Sequence, residues 1–141
     1  MSEHHPSKPH GAGKSSYDLV DHEKVFRELD LHRGMTVLDM ACGPGDYVIA
    51  MAEIIGAEGV IYGADVWTEA LVRLQKKADA KHIRNIKTVI GDVSRRLPIG
   101  DGTVDVCLIA TVLHDFAREG VALEALQEAV RVLKPDRTLA V

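Results

Sequence analysis

The sequence predicts an α/β fold built on a doubly wound, mostly parallel β-sheet. Apolar segments of strand length alternate with segments of helical periodicity along most of the chain. The composition agrees, because 46% of the residues are hydrophobic and only 4% are aromatic, which favours an aliphatic α/β core over a β-sandwich. A length of 141 residues fits one domain with its own core.

The elements alternate from residue 21 to the last residue. We expect helices at 21–31, 46–56, 68–80 and 121–133, and strands at 36–40, 59–64, 87–90, 104–110 and 138–141. The segment 104–110 is almost entirely apolar, which is typical of a strand covered on both faces. Thr68 is expected to cap the third helix, and Lys134-Pro135 to stop the fourth. The chain stops as the fifth strand begins, so we expect the sheet to be truncated there.

Residues 1–16 are polar and rich in His, Gly and Ser, so we expect a flexible arm ahead of one domain at 17–141. His4, His5 and His10 lie in this arm, where a solvated tail explains them better than a metal site does. We therefore expect no bound metal. Gly11 and Gly13 leave open a lid that folds over a ligand.

Charge and cysteine content exclude several functions. A net charge of −4 and an isoelectric point near 5.9 argue against nucleic acid or an anionic membrane as a partner. No apolar run reaches membrane length, and no signal peptide is evident. Cys42 and Cys107 form no C-x-x-C motif, which predicts a reducing, cytoplasmic location.

The stretch from Thr36 to Gly56 organises the chain. A buried strand ends at the acidic Asp39, and a turn with small residues at Ala41, Gly43 and Gly45 follows it. Helical periodicity then begins immediately. A strand, a tight glycine turn and a helix N-terminus together bring bare backbone close to a ligand.

The turn does not match the dinucleotide motif G-x-G-x-x-G. Read from Gly43, the third glycine falls on Val48, and read from Ala41 it falls on Asp46. Asp39 would also repel a pyrophosphate. These features disfavour an NAD-dependent dehydrogenase and favour a ligand that carries a cation and hydrogen-bond donors.

Acids also end the next two predicted strands. Asp65 follows the second strand and can accept the hydroxyls of a ribose. Asp92 follows the third and can accept from the exocyclic amine of an adenine, with Val93 against the ring. A single such acid is more commonly a helix cap. Three on successive strands indicate a ligand site, because clustered carboxylates repel one another unless donors or a ligand satisfy them.

The string VLDMACGPG resembles motif I of the class I S-adenosylmethionine (SAM)-dependent methyltransferases, with Ala41 in place of its first glycine. We expect this exchange to be mild if the backbone angle at Ala41 is ordinary. The strings GADVW, GDVSRRLPIGDGTVDVCLIATVLHDF and EAVRVLKPDRTLAV resemble later regions of that family. The chain looks most like the branch that contains the ubiquinone and menaquinone C-methyltransferases. The resemblance implies a Rossmann-like methyltransferase fold with SAM as cofactor.

The resemblance also assigns site residues. Gly43 and Gly45 would lie under the methionine part of SAM, with Asp39 near its amino group. Asp65 and Val66 would hold the ribose and adjoin the adenine, Asp92 and Val93 would bind the adenine, and Thr111 would line the floor near the sulfonium. The implied cofactor-binding set is Asp39, Ala41, Gly43, Gly45, Tyr47, Asp65, Val66, Asp92, Val93 and Thr111.

His114 is the candidate catalytic base for a protonated acceptor, because imidazole titrates near neutrality. Asp115 would orient it or cap the following helix. A surface histidine in a loop explains the same residue about as well. Positioning the acceptor and excluding water would be the enzyme's main tasks.

The family fold has seven strands, and this chain ends at the fifth. Truncation, completion by a partner chain or a second copy at the open edge of strand five, and a non-catalytic SAM-binding relic all remain open. We therefore predict methyl transfer to a small-molecule acceptor, with a SAM-binding module or partner-completed subunit as the alternative. Arsenite methylation is disfavoured, because both cysteines occupy structural positions.

Overall fold

A computed structural model describes residues 21–110 and 113–141, with only the backbone of Leu113 and His114 described. The predicted arm at 1–16, its histidines and its hypothetical lid lie outside these residues. The elements in chain order are α1 (His22–Leu29), β1 (Thr36–Met40), α2 (Asp46–Ile55), β2 (Val60–Asp65), α3 (Thr68–Ala80), β3 (Ile86–Ile90), β4 (Val104–Leu108), α4 (Leu113–Arg118), α5 (Ala122–Val132) and β5 (Leu133–Ala140).

The described strands form one parallel sheet in the order β3-β2-β1-β4-β5. The strand order reverses direction between β1 and β4, which is the switch point where open α/β sheets bind ligands. Asp39 of β1 pairs in register with Gly63, and Asp65 of β2 pairs with Ile90. The carboxyl ends of β1, β2 and β3 therefore lie side by side. The predicted fold class is confirmed.

Helices cover both faces of the sheet, and each face has its own apolar core. On one face, α1, α2 and α3 pack on Val37, Ile61 and Val106. On the other face, α5 and the connection between β3 and β4 pack on Leu38, Met40 and neighbouring strand residues. Successive side chains of a strand point to opposite faces, so β1 contributes to both cores and is buried from Val37 onward.

Three local expectations were wrong. Thr68 is the first residue of α3 and not its cap; Trp67 occupies the cap position. The segment that contains His114 and Asp115 is a short helix, α4, where a loop was expected. β5 begins at Leu133, directly after α5, and not at 138.

A bulge explains why β5 was placed too late. Val104 pairs with Leu133, but Val106 already pairs with Thr138, so β5 has four residues opposite the single residue Asp105. Pro135 lies in this bulge and is tolerated there because an edge position or a bulge does not require its missing N–H. The proline thus interrupts the strand pattern in the sequence without ending the strand.

Asp105 anchors the bulge to the start of β1. Its carboxylate accepts the Thr36 amide at 2.9 Å and the Lys134 ammonium at 2.9 Å, with the Arg137 guanidinium at 3.7 Å. Burial acts to raise the pKa of Asp105, but these donors and charges outweigh it and lower the pKa below its usual value. This ion cluster lies at the amino ends of the strands, opposite the predicted ligand edge.

Candidate functional site

The glycine turn after β1 is fixed by hydrogen bonds to the end of β2. The Cys42 amide donates to the Ala64 carbonyl at 2.9 Å, and the Gly43 amide donates to Oδ2 of Asp65 at 2.8 Å. Gly45 closes the turn by donating to the Cys42 carbonyl at 3.1 Å, and it precedes the first residue of α2. The turn and the end of β2 therefore form one rigid unit, with the N-terminus of α2 at its edge.

Gly45 is required by space as well as by backbone angle. Its φ is +84°, and a Cβ there would lie 2.3 Å from Cδ1 of Leu74 on α3. Gly43 has a φ of +55° but would meet nothing within 4 Å. α3 also holds the outer side of the turn, because Lys77 Nζ lies 3.3 Å from the Pro44 carbonyl and 3.3 Å from Oδ1 of Asp46.

Ala41 adopts a left-handed backbone, with a φ of +58°. The sequence analysis treated the alanine as a mild replacement if the angle was ordinary, and that condition is not met. A Cβ in this conformation costs about 1–2 kcal/mol, which a glycine would avoid. The turn therefore stores backbone strain at the residue that follows β1.

Asp39 is the most deeply buried acid at this edge, at 2% exposure. Burial raises the pKa of its carboxyl well above the usual range, and the nearby Asp65 raises that pKa further. Within the described part of the chain, we find no donor at hydrogen-bonding distance from the Asp39 carboxylate. A cation placed at this carboxylate would relieve both the desolvation and the repulsion.

The two cysteines also sense this charge. Cys42 is half-buried in the turn, and burial and then Asp39 raise the pKa of its thiol. Cys107 of β4 is fully buried, and the same two causes raise its thiol pKa. Neutral thiols are poor nucleophiles and poor metal ligands, so these positions are structural. Among the described residues, no cluster of acids, histidines and cysteines is suited to hold a metal.

Asp65 uses both of its carboxylate oxygens to organise backbone. Oδ2 accepts from Gly43, and Oδ1 accepts the Trp67 amide at 2.9 Å. Each oxygen keeps a second lone pair for a further donor. Val66, between these residues, is 39% exposed and presents an apolar surface beside the acid. Trp67 is buried, with the Arg73 guanidinium 5.4 Å from the centre of its ring.

Asp92 lies just past β3 and is exposed. Its Oδ1 accepts the Ser94 amide at 2.9 Å and the Ser94 hydroxyl at 2.6 Å, which folds the following residues into a tight turn. Oδ2 lies 3.8 Å from the Arg95 guanidinium at the surface. Val93 is buried against the second core. The pair thus offers a polar tip and an apolar side at the third strand end.

Two further expected site residues have different surroundings. Tyr47 is 7% exposed in the first turn of α2 and packs edge-to-face on Phe26 of α1, with ring centroids 6.2 Å apart. Thr111 lies outside the described residues. His114 belongs to α4, but its side chain lies outside the description as well. The predicted methyl-acceptor side therefore has only its backbone frame from α4.

The sequence analysis missed a buried ion pair on α5. Glu128 is 7% exposed, and its Oε1 accepts from Nε of Arg131 at 2.6 Å. Both side chains bind the backbone of the connection between β3 and β4. The pattern contains a clue, because Glu128 lies among the buried positions Ala125, Ala129 and Val132 of an amphipathic helix.

A family model described as a methyltransferase domain matches residues 37–136. The chain belongs to this family. It is 33% identical over 113 residues to the demethylmenaquinone methyltransferase of Geobacillus kaustophilus (strain HTA426), covering 80% of this chain and 47% of that protein. The enzyme of the same name from Staphylococcus aureus (strain MRSA252) is 34% identical over 80% of this chain and 44% of its own length.

The solved structures agree with this methyltransferase family. A crystal structure of a SAM-dependent methyltransferase from Aquifex aeolicus superimposes with a TM-score of 0.78 and 32% identity, covering 89% of this chain and 64% of the other. The predicted SAM-dependent family and its menaquinone branch are confirmed. The chain spans about half the length of the curated relatives it matches, 47% and 44% in the two cases given. No helix in the described ranges is long and apolar enough to cross a membrane.

Proposed function

We propose that this chain binds SAM at the carboxyl ends of β1, β2 and β3 and supports transfer of its methyl group to a small-molecule acceptor. The observation that carries the proposal is the buried carboxyl of Asp39, which has no donor among the described residues and lies beside a second acid and a fixed glycine turn. This arrangement costs free energy without a ligand. It suits a ligand that brings a positive charge and hydroxyl donors.

The described residues divide the cofactor between them. Asp39 receives the amino group of the methionine part, which lies over Gly43 and Gly45. Asp65 receives the ribose hydroxyls with the lone pairs that Gly43 and Trp67 leave free. The adenine lies between the exposed side of Val66 and the Asp92-Val93 pair. Ala41 and Tyr47 support the turn and the first turn of α2 from below.

SAM supplies a methyl group on a sulfonium, which is transferred in line to a nucleophilic acceptor. The chain's contribution to this step is geometric. The turn is already fixed by the Gly43–Asp65 hydrogen bond, so little ordering is needed when the ligand binds. His114 on α4 is the candidate base for an acceptor that must lose a proton, and Thr111 would line the floor near the sulfonium.

Calorimetry with SAM and S-adenosylhomocysteine tests the cofactor site. We expect both to bind, and we expect Asp39→Ala to weaken both, because both carry the same amino group. Asp46→Ala, at a surface acid paired with Lys77, is the matched control and should bind as the parent does. Failure of the parent chain to bind either compound would remove the proposal.

Methyl transfer is tested with tritiated SAM. Demethylmenaquinone is the first acceptor to try, because it appears in the names of the curated relatives. The Geobacillus kaustophilus relative, assayed in parallel, shows that the assay works. A mixture of cell metabolites extends the search if demethylmenaquinone is not methylated.

A second function stays open, namely a SAM-binding module or subunit that a partner chain completes. The observation that favours it is β5, which lies at the edge of the described sheet with one side unpaired. A second copy or another chain would add a strand there. SAM binding without transfer to any acceptor, together with a solution mass above that of one chain, would favour this function over the enzyme. The free thiols Cys42 and Cys107 support a cytoplasmic location for either.

A further inference from the structure

The connection between β3 and β4 contains no helix, yet its middle is tightly held. Leu97 and Ile99 are buried in the second core, and Val93 lies beside them. The backbone of such a segment needs hydrogen-bond partners once it is buried. Those partners come from two side chains of α5, a helix that follows about thirty residues later in the sequence.

Glu128 and Arg131 bind both polar groups of Leu97. Oε2 of Glu128 accepts the Leu97 amide at 2.5 Å, and Nη2 of Arg131 donates to the Leu97 carbonyl at 3.1 Å. Arg131 also donates from Nη1 to the Ile99 carbonyl at 2.9 Å and pairs with Asp101. We call Glu128 and Arg131 the α5 clamp. It replaces the neighbouring strand that this segment lacks.

The clamp reaches the ligand edge through the Leu97 side chain. Cδ2 of Leu97 lies only 3.1 Å from the position that a Cβ on Gly91 would take. Gly91 is the residue immediately before Asp92, and its amide donates to the Asp65 carbonyl at 3.1 Å. A shift of Leu97 therefore pushes directly on the residue that joins the ends of β2 and β3.

We propose that Glu128 and Arg131 are positioning residues for the adenosine part of the ligand, acting through Leu97 on Gly91 and Asp92. The inference rests on the function proposed above, because it takes the Asp92 side of the crevice as the adenine wall. Neither clamp residue touches the ligand. Their effect is to hold the backbone that presents Asp92 and Val93, so their loss should weaken adenosine recognition specifically.

The test compares two ligands and two ion clusters. Titrations of SAM and of free adenosine are made with the parent chain, Arg131→Met, the milder Arg131→Lys, and Glu128→Gln. Lys134→Met is the matched control, because it removes an ion pair to Asp105 at the opposite ends of the strands. All titrations are made at a temperature where circular dichroism shows each variant folded.

We expect Arg131→Met and Glu128→Gln to raise the dissociation constants of SAM and of adenosine by the same factor, roughly ten-fold. Arg131→Lys should fall in between, since one ammonium cannot reach both carbonyls at once. Lys134→Met should leave both constants within about two-fold of the parent. Asp39→Asn should weaken SAM but not adenosine, which confirms that the two ligands report on different parts of the crevice.

Two results would overturn the inference. In one, the clamp variants lose stability but bind adenosine as tightly as Lys134→Met does, which assigns the clamp to folding alone. In the other, they weaken SAM and leave adenosine unchanged, which places their effect on the methionine side. If the parent chain binds neither SAM nor adenosine, the proposed function itself fails and the inference fails with it. The parent titration therefore separates the two failures.

Discussion

Oδ2 of Asp65 lies 2.8 Å from the amide nitrogen of Gly43, a residue that follows the neighbouring strand. The acid at the end of β2 therefore has a structural task before any ligand arrives. It ties down the glycine turn, while its other oxygen holds the Trp67 amide at the start of α3. Substitutions at Asp65 must be interpreted with both tasks in mind.

Asp65→Ala should weaken SAM binding by about 1–3 kcal/mol, because the ribose hydroxyls lose a charged acceptor and the Gly43 amide loses its partner. Asp65→Asn separates these contributions. An asparagine retains one carbonyl oxygen that can hold Gly43, so it should bind SAM more tightly than the alanine variant does. Calorimetry gives both affinities. Unchanged SAM affinity in Asp65→Ala would show that the ribose lies elsewhere.

Gly45→Ala should destabilise the fold more than Gly43→Ala. Both glycines have positive φ, so each alanine carries backbone strain of about 1–2 kcal/mol. Only at Gly45 does the new Cβ also collide with Leu74, which should add about 1–3 kcal/mol. Urea unfolding of the two variants measures the difference. Equal losses would mean that Leu74 moves aside without cost.

Ala41→Gly should stabilise the chain by about 0.5–1 kcal/mol. The gain from relieving the left-handed alanine exceeds the entropy that the glycine loses on folding. His82→Gly is the control, since His82 has a φ of +57° in an exposed turn after α3, remote from the glycine turn in sequence. Both variants should shift the urea midpoint upward. A lower midpoint in Ala41→Gly alone would show that the methyl group makes a packing contact that outweighs the strain.

Asp39→Asn should stabilise the ligand-free chain at neutral pH. The pKa of Asp39 is raised in the folded state, so its contribution to folding is most favourable below the ordinary aspartate pKa of 3.8 and declines as the pH rises through the folded pKa. Asparagine removes this decline. Unfolding midpoints measured between about pH 4 and pH 8 should therefore depend less on pH in the variant.

Asp105→Asn provides the opposite sign in the same assay. The pKa of Asp105 is lowered in the folded state, so its contribution is present above the ordinary pKa and is lost as the pH falls through the folded value. The variant should lose stability at neutral pH and differ less from the parent in acid. If the two variants show the same pH trend, the assigned charge environments are wrong.

Much of the fold was predictable because short-range chemistry determines it. The bounds of β1, α2 and α3 follow from apolar runs, a glycine stop and helical spacing, and these elements lie where the sequence predicts them. The late placement of β5 has a different cause. Its pairing depends on Asp105, and no local pattern in 133–140 reveals a bulge that answers a residue on another strand.

The candidate site divides in the same way. Asp39, Asp65 and Asp92 could be grouped from the sequence, because parallel strands bring their ends to one edge. The positive φ of Ala41 could not be foreseen, since small residues tolerate several backbone angles. The α5 clamp was hidden because Glu128 and Leu97 lie 31 positions apart, and only the packing of α5 on the second core brings them together.

α5 passes into β5 without a single linking residue, since the helix ends at Val132 and the strand begins at Leu133. The rotational phase of Glu128 and Arg131 is therefore dictated by the sheet behind them. One residue inserted after Arg131 would turn both side chains by about 100° relative to β5. An insertion before Glu128 would leave that phase intact. Changes in α4 can thus remodel the proposed acceptor side independently, and the adenosine wall would keep its shape.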